Sequence, residues 1–583
     1  MSLFSFPSRL PLLLSAFLAL ACSPDIDPSR VVANPIDVDY AFTHHHQEGG
    51  REAADPVMAF FNGHYYLFPS MTYGYWSSED MQHWHFITNE MMPFGDYAPA
   101  VMVFKGELYW TVSFNNKLYK TADPEDGDSW KLVSDSFHAY IDNPDKTIVD
   151  PYLFPDEDGR VYLYWGCSQV EPIQGVELDP QKNFSPKTQP IALIEHNQSV
   201  YGWECRGPNN DTEEPSSNEG SAMIKHDGRY YLQYAGPGTE WPIYGDGVYV
   251  GDSPLGPFSH CAESPFSIKP GGWMTGAGHG DTFRDAYGNF WHTSSTVISK
   301  RFLFERRIGF FPAFFNEAGE LHVRTDCSDW PYVLPDKKVD FEKESIWTGW
   351  MDLTIGKNAT ASSSLADHSP ELGADSDIST WWSASSGNPG EWFCVDLGKV
   401  CRLNAVQPNF ADEGFGMFEA GKDKSPYRYI VEVSKNGKSW KRAFDRSKAS
   451  DTRPHELLVL RRPVKARYVR LTSTDSLTGY MSLHDLRVFG LAHGKVPTKV
   501  SEMTLHRGED RRRIEISWPA SEGARGYFVR WGTRPDALYS SWQTKGTSLE
   551  AGLFSTDQEY WFRVDAFNDS GFAEGAVVFS TLK

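Results

Sequence analysis

At 583 residues and 65.9 kDa the chain is long enough for about three domains, each burying its own core. A formal charge of −22 and a pI near 5.3 argue against a nucleic-acid partner, which needs clustered Lys and Arg. Aromatics at 14%, with 49 Gly and 37 Pro between short apolar runs, describe many short strands and turns, with rings left over for a neutral, stackable ligand.

The N-terminus reads MSLFSFPSRLPLLLSAFLALAC, with Arg9, an apolar stretch from Leu10 to Ala21, and small residues before Cys22. The stretch is short for a membrane span and is flanked like a signal peptide. Leu18 to Cys22 resembles a bacterial lipobox. Residues 1–21 are then a lipoprotein signal peptide, Cys22 the acylated residue and 22–33 a tether. The expectation is an exported bacterial lipoprotein whose membrane attachment is only through lipidated Cys22, in the periplasm or at the cell surface. An ordinary secretory signal with a chance cysteine is the alternative.

Between residues 50 and 300 a Gly followed by aromatics recurs five times, around Gly63, Gly106, Gly159, Gly228 and Gly288. Each unit reads as a strand, a tight turn and a returning aromatic strand. The spacing suits blades of about four strands. The expected class is all-β, led by a five-bladed β-propeller. In a propeller the residues just before each first strand gather at one mouth of the central channel. Asp55, Asp150, Glu219 and His279 stand there, eight or nine residues before their turn glycines. An Asp-Pro pair alone is a common turn starter, but the shared register brings these side chains together.

The repeat stops near Asp336 to Trp350. Residues 355–490 hold short β-rich runs and a paired closing strand, which read as a β-sandwich. From about Val496 a last all-β unit carries Trp518 early and Tyr560 late, as in an immunoglobulin-like sandwich with a tyrosine corner. Apart from Cys22 there are six cysteines, with no CxxC pair to suggest zinc. Cys394 and Cys401 are close enough for a local bridge, or remain buried thiols.

The ADP, VDPYLF and EGSAMIKHDGRYYL motifs resemble those of glycoside hydrolase family 43, a five-bladed propeller family, over residues 34–335. That resemblance implies an inverting hydrolase with Asp55 as general base, Glu219 as general acid, and Asp150 orienting the acid and tuning its pKa. It also implies that His279 lies under a calcium ion reached through water at the propeller axis. Residues 345–492 resemble the discoidin, or coagulation-factor type C, family, which includes carbohydrate-binding modules. Asp375, Asp377 and Thr380 fall where such domains often bind structural calcium, although Ser376 replaces the usual Gly. Residues 496–583 resemble fibronectin type III, a spacer with no chemistry of its own. No organic cofactor is expected, and structural calcium is the one ion implied.

Hydrolysis of a glycosidic bond needs one protonated carboxyl and one ionised carboxylate, so their environments must push them apart. His46, in His44-His45-His46, lines the pocket mouth or belongs to a solvated loop. Arg306 contacts substrate or pairs structurally with an acid. Trp203 and Trp241 stack on sugar or are buried packing. The expected partner is an oligo- or polysaccharide of plant type. The expected action is exo, releasing arabinofuranose first, with xylose or galactose next. The alternative is a non-catalytic surface glycan-binding protein, against which the three acids in one register speak.

Overall fold

A computed structural model of the chain describes residues 26–40, 52–88, 96–115, 117–137, 148–298, 304–416 and 426–580. Among these the regular structure is strand, with five short 3-10 turns and no α-helix. Cys22 and His46 lie outside the described residues.

The five glycine turns are hairpin turns of two kinds. Asn62-Gly63, Lys105-Gly106 and Asp227-Gly228 each place two successive residues at positive φ, with Phe61 paired to His64, Phe104 to Glu107 and His226 to Arg229. That is the two-residue turn whose twist matches the strands it joins. In DEDG and DAYG the turn is longer, and Gly159 and Gly288 donate to the Asp156 and Asp285 carbonyls at 3.0 Å. A Cβ on Gly63 would meet nothing within 4 Å. Its φ of +85° is the reason for glycine there.

Each hairpin starts an antiparallel sheet, and there are five such sheets in succession. Their first strands are Val57–Phe61, Pro99–Phe104, Tyr152–Pro155, Glu219–His226 and Thr275–Arg284. These five neighbour one another in a closed ring, the arrangement of a β-propeller. Aromatics fill the wedges between sheets, as where Trp130 Nε1 donates to the Tyr75 hydroxyl at 2.9 Å. The ring is tied by the N-terminal stretch. Val31–Val32 pairs with Tyr332–Val333, and the Asn34 side chain joins the Phe310 amide and carbonyl at 3.0 and 3.1 Å.

The second unit centres on three long strands, Trp392–Phe410, Leu458–Ser473 and Ser482–Ala492. Register shifts between Asp396 and Cys401 and between Leu403 and Ala405 bend the first of these. Bulges of this kind let a sheet curl around its own core of Phe393, Val395, Leu403, Leu471 and Phe489. Cys394 and Cys401 are free thiols, so the local bridge is not formed. Cys394 lies opposite Arg470 and Cys401 opposite Ala466, on either side of the shift.

The last unit pairs a three-stranded sheet, Thr504–His506, Ile514–Ser517 and Ser548–Ala551, with a five-stranded one built on Gly526–Gly532 and Tyr560–Asn568. The Ser555 amide donates to the Tyr560 hydroxyl at 3.0 Å, the upstream bond a tyrosine corner makes.

This unit is not a free spacer. One core joins its Trp518, Trp531 and Tyr560 to Trp203, Met223 and Tyr234 of the propeller. Its Phe528 and Phe567 stand edge-on to Trp330, which belongs to the core of the second unit. Arg530 pairs with Asp326 and Asp565, both at 2.7 Å. The second unit also docks on the propeller, where Trp273 Nε1 donates to Asp485 at 2.8 Å and Arg307 Nε to His455 Nε2 at 3.2 Å.

Candidate active site

One residue on each inner strand is left-handed, with φ between 46° and 60°: Asp55, Ala98, Asp150 and Gly220 at or just before the strand start, and His279 at a register shift within Thr275–Arg284. For a non-glycine residue that costs about 1–2 kcal/mol, so something must hold it. The holding groups come from the preceding sheet in each case. The amides of Asp55, Ala98 and Asp150 donate to the hydroxyls of Ser295, Ser70 and Ser113 at 2.8, 2.8 and 2.9 Å. Gly220 donates to Asp150 Oδ2 at 3.1 Å and His279 to Asp246 Oδ1 at 2.8 Å. The fivefold kink turns these positions toward the axis. In the fourth sheet glycine takes the left-handed place, and the acid is the residue before it, Glu219.

Asp55 is buried in a dense polar shell. Arg306 Nη1 donates to its Oδ1 at 2.8 Å, Ser70 Oγ to its Oδ2 at 2.7 Å, and His279 Nδ1 lies 3.3 Å from Oδ1. Burial pushes the Asp55 carboxyl up, but the Arg306 and His279 charges and the Ser70 hydroxyl outweigh it and hold it below the usual range. Glu219 goes the other way. Burial raises its pKa against the Tyr244 hydroxyl, which donates to Oε1 at 2.5 Å, and against His279. Burial, together with the charges of Glu219 and Asp55, lifts Asp150 to about 7, with His279 opposing. Burial lowers His279, yet the three carboxylates around it prevail and raise it.

The structure thus brings Asp55, Asp150, Glu219 and His279 together. Arg306 is sealed from solvent. It is 3% exposed and lies behind Asp55, clamping Glu52 at 2.6 Å with the same guanidinium. The structural pairing is the one observed. Trp203 takes the packing alternative: it is fully buried against Tyr234, inside the core shared with the last unit, and has no face for a sugar. Trp241 is half-buried, in the turn whose carbonyl accepts from the Tyr244 amide at 3.1 Å.

Calcium takes six to eight oxygen ligands. Among the described residues, the one group of three or more His, Cys, Asp or Glu side chains with close donor atoms is Asp150, Cys167 and Glu219. Asp375 accepts from Thr380 Oγ1 at 2.8 Å and from the Asp377 amide at 3.0 Å, while the Lys545 ammonium donates to its main-chain carbonyl. Thr380 Oγ1 also lies 3.1 and 3.5 Å from the Asp377 and Leu372 carbonyls, so side-chain and main-chain oxygens gather at this turn.

Several site residues were not visible in the sequence. Glu52 sits in the same motif as Asp55, and carrying the register to the second repeat leads to Ala98 and its neighbour Tyr97. The half-buried rings of Tyr97 and Phe304 flank Arg306, 5.9 and 5.4 Å from its guanidinium. Tyr244 and Cys167 carry no signal, because only the folded ring brings them to Glu219.

Residues 50–306 match the family model described as glycosyl hydrolases family 43, and residues 358–486 that of the F5/8 type C domain. The propeller is a family 43 glycosyl hydrolase domain. The second unit is an F5/8 type C, or discoidin, domain. Among solved structures, one titled glycoside hydrolase is 19% identical, covering 76% of this chain and 100% of its own, with a TM-score of 0.43. An endo-1,4-beta-xylanase from Bacteroides thetaiotaomicron is 21% identical over 48% of this chain and 96% of its own, at 0.38. An arabinoxylan arabinofuranohydrolase from Bacillus subtilis is 15% identical over 78% of this chain and 99% of its own, at 0.36. No curated protein matches the chain.

Proposed function

We propose that this family 43 hydrolase is an inverting, exo-acting glycosidase that removes a terminal sugar, arabinofuranose first and xylose or galactose next, from plant-type polysaccharide. Export as a lipoprotein acylated at Cys22 and a fibronectin type III identity for the last unit belong to the same reading. The observation that carries it is the split between two carboxyls in one pocket, Asp55 held ionised and Glu219 pushed toward its protonated form.

Glu219 hands its proton to the leaving oxygen as the glycosidic bond breaks. Asp55 takes a proton from the water that attacks the opposite face of the sugar. Asp150 binds the Gly220 amide next to Glu219, orients the acid, and opposes its ionisation by charge. Tyr244 fixes the Glu219 carboxyl through Oε1. Trp241 is the stacking surface in this reading. The insert ahead of Glu219, folded over residues 195–218, supports a closed pocket and hence exo-action.

A panel of nitrophenyl glycosides tests the activity, and the anomer first released, followed by NMR, tests inversion. Glu219→Gln and Asp55→Asn are each expected to lower kcat by about 10²-fold or more with the melting temperature little changed. Binding of glycan without turnover of any glycoside would instead support a surface glycan-binding protein.

A further inference from the structure

Hydrolysis of a glycoside has no use for a thiol, yet Cys167 stands at the general acid. It follows strand Val161–Trp165, is solvent-exposed, and its Sγ donates to Glu219 Oε2 at 3.5 Å. One donor atom each from Asp150, Cys167 and Glu219 falls within 4.8 Å of the others. We propose that these three side chains form a binding site for a thiophilic divalent cation of the zinc type, and that its occupation switches the hydrolase off.

The ligand set suits zinc rather than a hard cation. Zinc accepts one thiolate and two carboxylate oxygens and leaves a fourth tetrahedral position for water, whereas calcium and magnesium take oxygen alone. With Zn–S at about 2.3 Å and Zn–O at about 2.1 Å, tetrahedral geometry separates sulfur from oxygen by about 3.6 Å. The Cys167 to Glu219 pair already stands at 3.5 Å.

Two of the three residues, Asp150 and Glu219, are also fixed from outside the cluster. Ser113 holds the Asp150 amide at 2.9 Å, Gly220 holds its Oδ2 at 3.1 Å, and Tyr244 holds Glu219 at 2.5 Å. Such support is what a metal site needs.

On binding, the cation sheds waters, bonds form to Sγ and to one oxygen of each carboxylate, and the thiol proton leaves to solvent. Any carboxyl proton leaves with it, and a Glu219 carboxyl bonded to the cation cannot serve the leaving oxygen. Only this inhibitory consequence rests on the hydrolase reading. The binding itself does not.

The test uses the full-length protein stripped of metal by a chelator, with Co²⁺ as an optical probe and Zn²⁺ as competitor. The expected result is one equivalent of Co²⁺ with a thiolate-to-cobalt charge-transfer band, bleached by Zn²⁺. Cys167→Ser should lack the band and bind Zn²⁺ at least about tenfold more weakly in equilibrium dialysis. Cys167→Ala and Asp150→Asn serve as second variants, each checked by circular dichroism and each expected to weaken Zn²⁺ binding.

A band that persists in folded Cys167→Ser, or no stoichiometric binding by the wild type, overturns the site. At a Zn²⁺ concentration about ten times the wild-type Kd, wild-type turnover should fall about tenfold, while Cys167→Ser keeps about half or more of its own metal-free rate. Zinc bound with turnover intact overturns the switch. A metal-free wild type that hydrolyses no glycoside is a failure of the function proposed above, and the cobalt and dialysis arms still decide the site.

Discussion

A carboxylate sealed from water keeps its charge only beside a fixed cation, and Arg306 serves two of them. Its fork reaches Glu52 and Asp55 from a position that is 3% exposed. Burial lifts Glu52 to about 7 even against that cation. Arg306→Met leaves buried acids without it and is expected to lower stability by about 3–5 kcal/mol in denaturant titration. Arg306→Lys keeps the charge but loses the bidentate fork. Because Arg306 holds the Asp55 carboxyl down and the base must be ionised, weakening it raises that pKa, and the acidic limb of kcat/KM moves to higher pH. An unshifted limb in a folded Lys variant would sever Arg306 from the base. The tryptophans divide similarly. Trp203→Ala empties a fully buried site and should cost about 3–5 kcal/mol of stability. Trp241→Ala should instead raise KM on the preferred glycoside with stability nearly unchanged. The acids were legible because a repeat fixes register. Arg306 and Trp203 were not, because sequence shows that a side chain is long or aromatic but not which way the fold turns it.

The insert between the third and fourth sheets delivers Glu219, and it is organised around a buried acid. Glu204 is 1% exposed and accepts from the Tyr234 hydroxyl and the Asn197 amide, and burial lifts it from 4.5 to about 8. The folded pKa lies above the unfolded one, so its contribution is complete below about pH 4.5 and is lost as pH rises through about 8. The loss is on the order of several kcal/mol across that window. Melting temperature should therefore fall from pH 5 toward pH 8, and Glu204→Gln, which cannot ionise, should flatten the slope. A slope unchanged in the Gln variant would assign it elsewhere. The hairpins around this insert could be read from Gly and aromatic spacing alone. The left-handed inner positions could not, since the serines that hold Ala98 and Asp150 belong to neighbouring repeats.

At the scale of the whole molecule the three units are recognisable in the sequence, but their dependence on one another is not, because each interface joins residues hundreds of positions apart. The last unit shares one core with the fourth sheet and another with the discoidin domain. It also carries the insert: Gly202 donates to the Phe554 carbonyl at 3.1 Å, Thr556 to the Val200 carbonyl at 2.9 Å, and Arg512 to the Gln198 carbonyl at 3.0 Å. From there the chain runs to Asn218, which exchanges backbone bonds with Ser168 beside Cys167, and then to Glu219. Units that share cores unfold together, so calorimetry should show one cooperative transition rather than three. Deleting residues 498–583 removes Arg530 from buried Asp326 and uncovers Trp203 and Trp330, so the truncated chain should aggregate or melt well below the full one. Arg530→Met separates the charge from the surface: it keeps the apolar contacts, leaves Asp326 to Arg324 alone, and should destabilise by about 3–5 kcal/mol while the transition stays single. A soluble truncated chain with the full-length melting temperature would show that the last unit only rests against the propeller.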